Sequence, residues 1–152
     1  LSGLGADLVS RVAAEIAAGR APQAVPQEES RASYCRLVRK EDGIIDWTEP
    51  AALIEGKVRA YDPWPRASTT LRGASLLLLK TSVHPDTLVS ARVPGDIVAA
   101  DGENGILVQT GQGILKVERL QLQFKKPTDW RSFLNGHPDL RGLHLGTIAG
   151  VI

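Results

Sequence analysis

The sequence predicts a mainly β module with flanking helices, and three observations carry that expectation. Apolar or alternating runs of strand length fill the stretch from Ser68 to Leu122, glycine-bearing turn signals separate them, and helix signals occur only before and after it. In the last of these runs the inward-reading residues Leu115 and Val117 give way to Leu120 and Leu122. That odd-numbered step needs a bulge to keep one face inward, as happens in barrels and curved sheets.

In chain order, residues 1 to 20 read as a helix, because Leu8, Val9, Val12, Ala13, Ile16 and Ala17 share a face that Asp7, Arg11 and Glu15 flank; Gly19 and Pro22 stop it. From Ala21 to Ser33 the chain has the composition of a solvated linker. This N-terminal stretch is either a helix packed on its own domain or the last helix of a neighbouring domain with its tether. After Trp47, Thr48 can cap a second helix whose apolar residues Ile54, Val58 and Tyr61 recur at helical spacing until Asp62-Pro63 ends it. Asp62-Pro63-Trp64-Pro65 reads as a rigid corner around an indole that needs cover. Strands are expected over Ser68 to Arg72, Ser75 to Val83, Asp96 to Ala100, Ile106 to Thr110 and Ile114 to Leu122. Their turns are Gly73-Ala74, Asp101-Gly102-Glu103-Asn104-Gly105 and Gly111-Gln112-Gly113. The Leu76 to Leu79 run fits a strand covered on both faces, and His84-Pro85-Asp86 a turn. A short helix from Thr128 to Leu134, capped by Thr128 and stopped by Asn135-Gly136, is the last expected element.

The chain has 152 residues, 43% of them hydrophobic and 23% charged, with 15 Gly and 9 Pro. This suits one folded domain with or without an appendage and excludes a disordered, collagen-like or coiled-coil chain. It starts at Leu1 and contains no Met, so a piece of a longer protein is expected. No apolar run is longer than Leu76 to Leu79, so no membrane span is expected. Charged residues interrupt the first helix before a signal-peptide core can form. A single cysteine, Cys35, excludes an internal disulfide, reads as a buried or half-buried thiol, and agrees with a cytoplasmic location.

No catalytic constellation stands out. His84, His137 and His144 have no metal-ligand spacing, and nucleophile-elbow, phosphate-loop and zinc-hydrolase motifs are missing. Gly111-Gln112-Gly113 lies between two strands with no helix following, which reads as a hairpin and not as a nucleotide loop. Charge is more informative by region than in total. The net charge is +1, yet residues 31 to 80 carry nine basic against six acidic residues and residues 116 to 152 six against three. Arg36, Arg39 and Lys40 form one basic cluster, and Lys116, Arg119, Lys125 and Lys126 another. Both are either ordinary solvated surface or, if the sheet curls into a barrel, one face for a polyanion. Aromatic residues are few, so phosphate contact and shape readout are expected over a base-stacking platform.

Several segments taken together resemble a known family. Arg39-Lys40-Glu41-Asp42-Gly43-Ile44-Ile45-Asp46-Trp47, followed by Val58-Arg59-Ala60-Tyr61-Asp62-Pro63-Trp64-Pro65, looks like the C-terminal domain of methionyl-tRNA formyltransferases. Gly95-Asp96-Ile97, Thr110-Gly111-Gln112-Gly113-Ile114-Leu115, Leu120-Gln121-Leu122-Gln123 and Lys125-Lys126 continue the similarity in order. Ser2-Gly3-Leu4-Gly5-Ala6-Asp7-Leu8 with Ala18-Gly19 is similar to the family's last catalytic-domain helix, so the resemblance spans roughly residues 1 to 136.

The resemblance implies an OB-like open Greek-key barrel. It divides the chain into the terminal helix of a catalytic domain (1–20), a linker (21–38) and the barrel (39–152). It also implies a parent enzyme that transfers a formyl group from 10-formyltetrahydrofolate to the methionyl amino group of initiator tRNA, acting as a cytoplasmic monomer. In that family the catalytic residues and the folate pocket lie in the N-terminal domain. This segment is therefore expected to bind no cofactor or metal and to lack activity alone, with initiator tRNA and the catalytic domain as partners. Lys125 and Lys126 match the family's paired lysines, and Arg39 and Lys40 its basic linker end; with Arg119 they are the candidate nucleic-acid contacts. Phe124 stands where the family usually has a glycine before the lysine pair, which removes the turn freedom glycine would give. Trp47, Pro63, Trp64 and Pro65 are assigned to core and corner. Two other readings stay open: the similar C-terminal domain of a sugar-nucleotide N-formyltransferase, and a structural barrel that only orients its neighbour.

Overall fold

The two longest strands each carry an extra residue at the same level, and that shared irregularity bends the sheet. In the computed structural model, which describes residues 1–20, 22–85 and 92–146, the chain divides into two compact units, Leu1–Arg36 and Leu37–Ile152. The first contains helix α1 (Ser2–Ala17) and one helical turn at Glu29–Arg31, and none of its described residues is buried. Cys35 is exposed, against the expectation of a covered thiol, because the stretch around it has no apolar residues arranged to enclose it.

The second unit contains α2 (Ala51–Ala60), β1 (Ala67–Leu71), β2 (Ala74–His84), β3 (Ile97–Asp101), β4 (Gly105–Gln109), β5 (Ile114–Leu122), β6 (Thr128–Asp129), α3 (Trp130–Gly136) and β7 (Leu145–Gly146). The strands pair antiparallel in the order β3-β4-β5-β2-β1-β7, with β6 on β5. The two ends of that order meet: Leu145 N–H donates to the Gly95 carbonyl and Ile97 N–H to that of Leu143, both at 2.8 Å. The result is a mainly β, curled sheet with flanking helices, as expected.

The bulge required by the step from Val117 to Leu120 is present. Leu78 pairs with Leu120, Lys80 with Arg119 and Thr81 with Val117, so Leu79 is extra on β2 and Glu118 on β5. Each strand thereby keeps its buried residues inward, Leu76, Leu78 and Thr81 on β2 and Leu115, Val117 and Leu120 on β5. Leu77 and Leu79 are half-buried on the other face, so the leucine run is covered on one side and not on both. Ile54 and Val58 of α2 join these residues in the core, together with Ile45, Trp47 and Phe133. The apolar space left inside the barrel is about 10 Å³, room for no more than one water.

Several boundaries move for physical reasons. Thr48 does not cap α2; its N–H and hydroxyl both donate to Asp46 Oδ1, at 2.9 and 2.6 Å. The helix begins after Pro50, and Ala51 N–H donates to the Gln112 carbonyl of the β4–β5 hairpin at 2.9 Å. Asp129, not Thr128, caps α3 by accepting from Ser132 N–H at 2.9 Å, since Thr128 is held in the ladder opposite Leu120. Trp47 is core as expected, its indole N–H donating to Thr69 Oγ1 at 3.0 Å. Trp64 is not; it is 59% exposed at its proline corner. β2 runs through His84, and Asp86, the end of the expected turn, lies outside the described residues. Beyond Gly136, where the sequence supports no expectation either way, Leu140 and Leu145 enter the core and β7 pairs with β1.

Candidate nucleic-acid interface

The matched irregularity decides which side chains face away from the core. With Glu118 as the extra residue, β5 turns two neighbours, Glu118 and Arg119, off the buried face, and Lys80 stands opposite Arg119 on β2. These residues and Lys116 line a shallow depression of about 580 Å³, completed by Pro127, Thr128, Asp129 and Trp130. Lys80 Nζ lies 2.7 Å from Glu118 Oε2. The hydrogen bond from Lys80, then that from the Ser82 hydroxyl, hold the Glu118 carboxyl below the usual carboxylate range. Asp129, committed to the α3 cap, is also held low, chiefly by Ser132 N–H. Three cations thus face two carboxylates here, and among the described residues Lys116 and Arg119 are in no ion pair.

β5 ends in a tight turn that carries the lysine pair. Lys125 N–H donates to the Leu122 carbonyl and Gln121 Nε2 to that of Lys125, both at 2.9 Å. Phe124 takes a left-handed φ of 62° at the apex. Lys125 and Lys126 border a second depression, about 260 Å³, with Leu122, Thr128, Ser132, Phe133 and His137. His137 stacks on Phe133 with ring centroids 4.3 Å apart, and its Nδ1 lies 3.0 Å from the Phe133 carbonyl. That oxygen only accepts, so Nδ1 carries the proton.

Lys40 lines a third depression of about 300 Å³ with Glu41, Ile44, Pro65, Ser68, Ser75, Leu77 and Gln123. The first two depressions share Thr128 in their lining. Arg119 therefore lines the first depression, Lys125 and Lys126 the second and Lys40 the third, whereas Arg39 lines none of them. Its backbone N–H donates to Asp42 Oδ2 at 2.7 Å and so steadies the turn that presents Lys40. Lys80 was missed by the sequence reading, because its pairing with Arg119 depends on a register that the sequence does not spell out. Among the described residues no three His, Cys, Asp or Glu side chains converge as a metal site would require, and no helix is long and apolar enough to cross a membrane.

Residues 37–138 match the family model described as formyl transferase, C-terminal domain. The methionyl-tRNA formyltransferase of Treponema denticola is 44% identical over 120 residues, covering 77% of this chain and 37% of that protein. That of Trichlorobacter lovleyi is 40% identical over 149 residues, covering 97% and 44%. This chain therefore spans less than half the length of these relatives. The crystal structure of HypX from Aquifex aeolicus in complex with tetrahydrofolic acid shares the fold, with a TM-score of 0.58 at 18% identity over 85% of this chain and 22% of that one. With the matched segment beginning ahead of α2, running through α3 and including every candidate contact, the chain belongs to the formyl transferase C-terminal domain family.

Proposed function

We propose that this chain is the tRNA-gripping C-terminal part of a methionyl-tRNA formyltransferase, whose whole protein formylates initiator tRNA from 10-formyltetrahydrofolate. Its main support is the set of cations on β5 and its exit, Lys116, Arg119, Lys125 and Lys126, with Lys80 opposite Arg119 on β2 and Lys40 in a separate depression. Exposed cations of this kind suit phosphate contacts that fix the position of an RNA without reading its sequence. In this reading residues 1–20 close the catalytic domain, 21–38 are the linker, and 39–152 hold the tRNA while the rest of the protein supplies the reacting groups. The packed barrel interior, with about 10 Å³ free, has no room for a pterin, and in this reading the rest of the protein holds the formyl donor. Formyl transfer by this chain alone is not expected.

The balance of three cations to two carboxylates in the depression between β2 and β5 favours a second reading, a barrel that only orients its neighbour. Titration with initiator tRNA separates the two. With about four phosphates neutralised, raising the salt from about 50 to about 200 mM should weaken binding roughly a hundredfold. Absence of binding at the lower salt would reject the tRNA grip in favour of the orienting barrel.

A further inference from the structure

We propose that Phe124 is a stacking contact for one unpaired base of the bound RNA, whose adjoining phosphates are held by Lys125 and Lys126. The inference rests on the RNA-binding reading above and names a subsite within it. Phe124 is 95% exposed and sits at φ 62°, a conformation that disfavours any side chain beyond Cα. Nothing in the turn itself calls for a ring. The bonds that close it, from Lys125 N–H to Leu122 and from Gln121 to the Lys125 carbonyl, involve no atom of the Phe124 side chain, and glycine would adopt the same backbone without strain. An apolar ring held in water at a strained apex is thus costly twice over, and such outliers are found where function over-determines the conformation.

The surroundings point to the ligand class. Lys125 and Lys126 follow the ring directly in sequence, and among the described residues neither is in an ion pair, so both ammonium groups are available to an anion. Of the two aromatic residues of α3, Phe133 is buried under His137, and the half-buried Trp130 ring lies 4.7 Å from the Arg131 guanidinium, whereas the Phe124 ring is open to solvent. A planar apolar face next to phosphate-binding cations matches how proteins hold unpaired nucleotides, by stacking the base and neutralising its backbone.

The test uses Phe124→Gly and Phe124→Trp in the whole chain, with initiator tRNA as the probe. Phe124→Gly should weaken binding about five- to a hundredfold, the range for losing one stacked base. The salt dependence should be unchanged, because the ring carries no charge, and the melting temperature should not fall, because the strained φ is relieved. Phe124→Trp should keep the affinity. Unchanged affinity of Phe124→Gly, with the unaltered chain still binding tRNA, overturns this subsite and leaves the RNA grip intact. Failure of the unaltered chain to bind tRNA overturns both. Phe124-dependent binding to anionic phospholipid vesicles, with tRNA binding indifferent to the substitution, would assign the ring to a membrane surface instead.

Discussion

Gly111→Ala should lower the stability of the second unit by about 3 kcal/mol or more, the upper part of the range for forcing atoms into packed space. A Cβ at this position would lie 1.7 Å from the Thr48 carbonyl oxygen and 2.5 Å from its carbon. Both groups are backbone, so no rotamer change relieves the clash. Neither side can retreat cheaply, because Gly111 N–H donates to the Trp47 carbonyl at 2.8 Å and Ala51 N–H to Gln112 at 2.9 Å, while the Trp47 ring is locked in the core. Gly102→Ala is the control: a Cβ there meets nothing within 4 Å. Urea unfolding midpoints compare the two, and a Gly111→Ala midpoint equal to that of Gly102→Ala would refute the close approach.

Neutralising Lys116, Arg119, Lys125 and Lys126 together with alanine should reduce tRNA affinity by about a hundredfold or more at low salt. The slope of log affinity against log salt should become shallower by roughly one for each phosphate that the variant no longer neutralises. Stability should change little, since among the described residues none of the four is in an ion pair and Arg119, Lys125 and Lys126 are exposed. A variant that folds normally and binds with an unchanged slope would remove these cations from the interface.

Much of the architecture could be read in advance because it follows from local rules. Glycine and asparagine marked the β3–β4 and β4–β5 turns, and the uneven spacing of Leu115, Val117, Leu120 and Leu122 required the bulge that β5 has. What failed depended on contacts distant in sequence. Thr48 was an adequate cap by type, but Asp46 captured its hydroxyl and the hairpin carbonyl of Gln112 satisfied the helix instead. Trp64 looked like core on hydrophobicity, yet its corner turns it to solvent. Leu140 and Leu145 had no periodicity to announce them, because β7 is too short to show a pattern and is defined by its partners. Among the candidate contacts, Lys125 and Lys126 were visible as a pair, whereas Lys80 became a neighbour of Arg119 only through the register of β2 on β5.

The most direct measurement is the reactivity of each lysine toward a small acylating reagent, with and without saturating initiator tRNA at low salt, read by mass spectrometry. Lys40, Lys80, Lys116, Lys125 and Lys126 should be protected by the RNA. Lys57, whose Nζ is 2.5 Å from Glu49 Oε2, should react equally with and without it. Protection that leaves Lys80, Lys116, Lys125 and Lys126 as reactive as in the free protein would contradict a polyanion grip along β5 and its exit.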